Sequence, residues 1–250
     1  MVLERGYGDC KDKSLLLAVA LRRLGIDAVP ALVSTRPGRD LPDRLASPLM
    51  FDHVIVRVAI DGQTTWIDPT ATHRGGRGLA ITPSNLGYAL PVREGQQALE
   101  KMDGYTARAG GMDVVERYDV DEVAATALTL RVETRYSGGM ADWMRGRLAS
   151  QSAARVARGN LEYYQKRFPG LAEGKALAIS DDRDANIVIL GEDYSLSKAE
   201  FDKGKILSDL NTTAYVVADL LPGKQAGPRR QPLYLPANIS RNQVIEVHAR

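Results

Sequence analysis

The sequence predicts an α+β protein of two domains: a helix packed on an antiparallel sheet over residues 1–108, and a β-rich domain over 109–250. Three observations predict it. A Leu- and Ala-rich run follows Asp9 and ends at Gly25, two β-prone runs flank Asp61-Gly62, and further β-prone runs recur beyond residue 110 around one helical stretch.

Asp9 stands where an N-cap belongs, and Cys10-Lys11-Asp12-Lys13 leads into a helix that Gly25 closes. Its apolar positions, Leu15, Leu16, Val19 and Leu24 among them, nearly encircle it, which predicts a central, buried helix. A strand is expected over 28–35. The segment 36–50 carries Pro37, Gly38, Pro42 and Pro48 and reads as a loop or covering flap. Residues 51–60 and 63–68 then form a hairpin, because Asp-Gly between two β-prone runs favours a two-residue type I′ turn. That turn fixes the register. With Ile60 opposite Gln63, Ile55 falls opposite Asp68, and His53 shares their face as a diagonal neighbour of Asp68. Trp66, opposite Arg57, belongs to the same face.

The basic, Gly-rich stretch 73–78 and the turn-rich stretch 83–91 are expected to finish the first domain as irregular chain, with a boundary at 103–113. Beyond it, strands are expected over 114–120, 124–136, 186–190, 214–221 and 243–248, interrupted by one helix over 141–168. This pattern predicts a β-sandwich-like module with a helical excursion.

Composition narrows the function. Lys plus Arg number 33 against 31 for Asp plus Glu, a formal charge of +2, so nucleic acid is not the leading partner. No apolar run approaches the roughly 20 residues that cross a bilayer, and residues 1–10 lack the apolar core of a signal peptide, so the chain as given is expected to be soluble. A single cysteine forms no internal disulfide and no multi-cysteine metal site; it is a core filler or a chemical tool. With no phosphate-binding loop, dinucleotide fingerprint or metal-ligand spacing, no cofactor is expected.

The order Cys10, His53, Asp68, set on a helix, a strand and a strand, offers a chemistry. A thiol attacks as its thiolate, and the free amides and dipole of a helix N-terminus favour that anion. An imidazole supplies the rest and can protonate a leaving amine, while a carboxylate on its far side selects the tautomer and holds the ring. Each residue alone has a plainer explanation: a buried thiol, a core histidine, a turn aspartate before Pro69. Their joint arrangement is harder to obtain by accident. Trp66 could shield the His-Asp pair from water, or serve as an aromatic core residue. Asp9 and Asp12 are read as helix-capping acids, His73 as a solvated loop residue, His248 as inert, and the arginines of 145–167 as a solvated face.

Gly8-Asp9-Cys10-Lys11-Asp12-Lys13, Leu24-Gly25-Ile26-Asp27-Ala28, Phe51-Asp52-His53-Val54 and Trp66-Ile67-Asp68-Pro69-Thr70 resemble the successive blocks of the bacterial transglutaminase-like superfamily, over roughly residues 5–72. The resemblance implies a papain-like α+β core, Cys10 as nucleophile, His53 as base, Asp68 as third member, and a peptide or protein substrate attacked at an amide. It also suggests a bacterial periplasmic or envelope setting. Members carry helical chain before the nucleophile that supplies a second oxyanion donor, so the natural protein is expected to continue upstream of residue 1. The rival expectation is a catalytically silent binding or scaffold protein that keeps the fold.

Overall fold

The computed structural model describes residues 2–36, 38–77, 81–102, 110–121, 123–202, 214–218, 230 and 240–249. Pro37 of the expected flap, Gly78 of the basic stretch, Asp103 and Gly104 of the expected boundary, residues 219–221 of an expected strand and the terminal Arg250 lie outside them. The chain forms two compact units, Met1–Thr72 with Thr82–Arg108, and His73–Ile81 with Ala109–Arg250. The segment 73–81, expected to finish the first domain, thus belongs to the second unit. Its backbone is bonded there: the Gly76 amide donates to the Arg183 carbonyl, the Gly75 amide to Asp142 Oδ1 at 2.9 Å, and Arg77 pairs with Asp184.

The first unit begins with a short helix α1 (Val2–Arg5) and then α2 (Cys10–Arg23). Its strands are β1 (Asp27–Val33), β2 (His53–Ile60), β3 (Gln63–Ile67), β4 (Tyr88–Pro91) and β5 (Glu100–Lys101), in the antiparallel order β3-β2-β1-β4-β5. The hairpin turn has φ of 50° at Asp61 and 75° at Gly62, as a type I′ turn requires, and Ile60 pairs with Gln63 and Arg57 with Trp66. The central strands read as continuous apolar runs because both faces are covered. One face packs Ala31, Val33, Ile55, Trp66, Ala89 and Met102; the other packs Ala28, Val56 and Val58 against Ala18, Leu17 and Leu21 of α2.

α2 is not the encircled helix expected from its composition. Only Ser14 and Ala18 are buried, while Leu15, Val19 and Leu24 are exposed, so the helix covers the sheet with one stripe and turns an apolar back outward. The flap 36–50 is stapled at its base, where the Asp52 carboxylate accepts from the Thr35 amide at 2.8 Å and the Thr35 hydroxyl at 2.7 Å. Gly38 lets the flap touch down: a Cβ there would sit 1.9 Å from the Leu86 carbonyl oxygen.

The second unit contains β6 (Gly111–Val120), β7 (Thr126–Ser137), helices α3 (Gly139–Ser150) and α4 (Ala153–Gln165), β8 (Ala172–Asp182), β9 (Ile187–Ser197), short helices α5 (Lys198–Phe201) and α6 (Tyr215–Ala218), and β10 (Ser240–Ala249). Among the described residues it holds one sheet, β10-β6-β7-β9-β8, with β10 parallel to β6. The expected sandwich is therefore corrected to a single sheet backed by helices. Its inner face, including Val114, Tyr118, Leu128, Leu130, Tyr194 and Leu196, packs with Tyr164 and Phe168 at the end of α4. Its outer face carries cross-strand ion pairs, Arg117–Glu246, Arg131–Asp119 and Arg135–Asp113, around the Val115–Val244 pair, and no second sheet covers it among the described residues.

The expected single helix over 141–168 is two. Ser152 caps α4 by accepting from the Arg155 amide, which restarts the helix after a break at Gln151. Residues 215–218, expected in a strand, are helical. Arg145 of α3 is 5% exposed and is held by Asp142, Asp181 and Asn186. Removing one side of such a buried pair strands the other charge. Arg145→Ala is therefore expected to destabilise the second unit by about 3–5 kcal/mol, read as a lowered urea midpoint, with Asp181→Ala milder because that carboxylate is one-third exposed.

Candidate active site

The head of α2 is built by its capping box. Asp9 Oδ1 accepts from the Lys11 amide at 2.9 Å and the Asp12 amide at 3.1 Å, and Asp12 Oδ2 accepts from the Asp9 amide in return. Cys10 is the first helical residue, a free, half-buried thiol. The Lys11 ammonium, 2.7 Å from Asp9, and the two capping amides hold the Asp9 carboxyl below the usual carboxylate range. Asp9 and Asp12 thus cap the helix, as read from sequence. The Cys10 amide has no hydrogen-bond partner among the described residues, which leaves it free to face an oxyanion.

His53 opens β2, and its Nε2 lies 2.9 Å from Asp68 Oδ2; both side chains are about one-sixth exposed. The other Asp68 oxygen accepts from the Thr70 amide at 2.9 Å and the Thr70 hydroxyl at 2.6 Å. Burial pushes the Asp68 carboxyl up, but the Thr70 hydroxyl, His53 and the Thr70 amide outweigh it and hold the group below its ordinary value. With Nε2 engaged, Nδ1 is the nitrogen left for another group; it makes no hydrogen bond, to Cys10 or otherwise, among the described residues. Trp66, 2% exposed, packs in the core cluster with Ile55 and Val33 on the His53 side of the sheet.

What ties α2 to β2 is a gap in the sheet. In the hairpin register the even residues of β2 turn their amide and carbonyl toward β3, so the Val54 carbonyl faces position 69. Position 69 is proline and has no N–H to give. The ladder stops at Val56↔Ile67, and the buried Ser14 hydroxyl donates to the Val54 carbonyl at 3.0 Å instead. Ala18, one turn later, packs on Val56 and Val58, so α2 runs along β2 in the strand's direction. One turn earlier, about 6 Å back along the axis, Cys10 stands at the His53 end of the strand. α2 lies on the Val54 face and the His53 Cβ on the Ile55 face, so the helix head that carries Cys10 and the strand end that carries His53 flank the open end of the β2–β3 ladder from its two faces.

Comparison with family models, with curated proteins and with solved structures returned no match to this chain.

Sequence reasoning missed Ser14 and Thr70. Thr70 had a signal, since an aspartate two residues before an amide commonly forms such a turn. Ser14 had one too, as the lone hydroxyl on the buried stripe of a Leu/Ala helix, four residues from Cys10 and from Ala18. His73 and His248 stand apart in the second unit, His73 beside α3 and His248 exposed on β10. Among the described residues no cluster of His, Cys, Asp or Glu could hold a metal, and no helix is long and apolar enough to cross a membrane.

Ser14→Ala leaves the Val54 carbonyl buried without a donor. It is expected to cost about 1–3 kcal/mol in denaturant titration and to change the Cys10 alkylation rate as the helix head loosens. Asp68 carries a sign that can be checked. Because its folded-state carboxyl is held low, its contribution is full above the ordinary carboxylate range and is lost as pH falls through the lower folded-state value. Asp68→Asn should flatten the acid side of the stability-versus-pH curve; an unchanged acid limb would remove Asp68 from it.

Proposed function

We propose that the chain carries out cysteine-dependent amide acyl transfer or hydrolysis on peptide or protein substrates, in the manner of the transglutaminase-like, papain-type enzymes that its motifs resemble. The observation that carries the reading is the His53 Nε2 to Asp68 Oδ2 bond, at 2.9 Å, with Nδ1 unpartnered at the end of a strand that Ser14 ties to the Cys10 helix.

The steps follow from these groups. Asp68 fixes the proton of a neutral His53 on Nε2, leaving the Nδ1 lone pair to accept the Cys10 proton. The sulfur attacks the amide carbonyl carbon, and the Cys10 amide faces the developing oxyanion. His53 then returns the proton to the departing nitrogen, the C–N bond breaks, and a thioester remains on Cys10. Water, or a second amine, gives its proton to His53, attacks the thioester carbonyl and releases the thiol.

The sulfur is not hydrogen-bonded to the ring in the free protein, an observation that also suits a binding protein retaining this fold. Hydrogen bonds of this kind often tighten only with substrate bound. Iodoacetamide separates the two readings. At pH 6 the wild-type thiol should be alkylated roughly ten-fold or more faster than that of His53→Ala, consistent with the general-base contributions of about 10²–10⁴ seen elsewhere. Equal rates, together with no amine released from glutamine-containing peptides and no thioester trapped on Cys10, would favour the silent binder.

A further inference from the structure

We propose that the apolar pocket beside His53 is a specificity pocket, taking a bulky apolar side chain of a peptide substrate next to the reacting amide, with Arg44 at its mouth meeting a neighbouring acidic residue. The proposal rests on the acyl-transfer reading above and assigns its substrate class.

The pocket encloses about 560 Å³ and lies within the first unit. Small-molecule and cofactor sites commonly fall in the range of roughly 300–1,000 Å³ and are mostly apolar with a few polar groups. Its floor comes from the sheet: Leu32 pairs with Val54, and Leu90 pairs with Leu32, so all three share the face on which α2 lies. Its wall is the flap, from Leu41 to Phe51, and Leu99 also lines it. The wall runs directly into the site, since Met50 and Phe51 precede Asp52 and His53 and the Asp52–Thr35 staple fixes that joint. From Phe51 to His53 is two residues, about 7 Å of extended chain. A side chain seated in the pocket therefore lies on the α2 face, beside the strand end that His53 opens.

Charge selects the rest of the ligand. Arg44 is exposed at the mouth and forms no ion pair among the described residues, whereas Arg57 and Arg93 of the same unit are committed to Glu100. A planar guanidinium beside an apolar cavity matches a peptide in which an aspartate or glutamate adjoins a leucine or phenylalanine. A polar side chain placed in the pocket would lose its water and find few partners.

The test reads binding apart from turnover. Fluorescein-labelled peptides Gly-Asp-X-Gln-Gly-Gly, with X as Leu, Phe or Ser, are titrated against full-length Cys10→Ala by fluorescence anisotropy. The Leu and Phe peptides should bind roughly ten-fold or more tightly than Ser, the range expected for burying one large apolar side chain. Leu90→Trp, filling the floor, should erase that preference; Arg44→Glu, on the exposed flap, should weaken all three peptides several-fold and recover when their Asp is changed to Lys. Equal binding of the Leu and Ser peptides, no binding by any of them, or a preference that survives Leu90→Trp overturns the proposal. Should Leu90→Trp not fold, the Leu/Ser ratio and the Arg44→Glu charge swap still decide it. A lost peptide preference beside His53-dependent alkylation removes the pocket and keeps the catalytic reading; the converse pair of results removes the catalytic reading alone.

Discussion

The interaction on which the site depends is the bond from a helix hydroxyl to a strand carbonyl, Ser14 to Val54. It exists because Pro69 has no amide hydrogen. Were residue 69 any other type, the β2–β3 ladder could continue one rung and close the sheet edge at the place where His53 and Asp68 meet. Proline ends the ladder, and the vacated acceptor is filled from α2. The same substitution of donors that satisfies a buried carbonyl therefore brings the thiol-bearing helix to the histidine-bearing strand.

Asp68 is doubly employed by this ending. One oxygen turns the chain by accepting from Thr70, and the other holds the imidazole. A carboxylate with three donors stays ionised despite its burial, since hydrogen bonds to the charged form outweigh desolvation. An aspartate serving the turn alone would have no need to face the core-side ring. Its orientation toward His53 is fixed by the hairpin register, which is set at the far end by the positive φ angles of Asp61 and Gly62.

Much of this was legible in the sequence where local chemistry dictates geometry. Asp-Gly fixed the hairpin and hence the His53–Asp68 contact, and Asp9 fixed the start of α2. Less was legible where burial decides. Leu15 and Val19 of α2 are apolar yet exposed, so counting apolar positions overstated how deeply the helix lies. β8 gave no signal because it is an edge strand, exposed along nearly its whole length and irregular in register near Glu173 and Lys175. The outer face of the second unit misled in the other direction. Its strand pattern predicts a sandwich, but Arg117, Arg131 and Arg135 are paired across that face. The β10–β6 pairing is parallel, between strands far apart in sequence, and leaves no local trace in either.

On the proposed acyl-transfer reading, the capping box also decides which interaction activates the thiol. Of the amides at the head of α2, those of Lys11 and Asp12 are already bound to Asp9, whose negative charge also occupies the positive end of the helix dipole. Cys10 is left with its own amide and with the Lys11 ammonium, itself engaged by Asp9. A helix terminus so fully used has little stabilisation to lend a second anion. In the acyl-transfer reading proposed above, the burden of forming the thiolate therefore passes to His53, whose tautomer Asp68 fixes. On that reading the Asp68 carboxylate, one residue past β3, matters more to the chemistry than the acids that flank Cys10 in sequence.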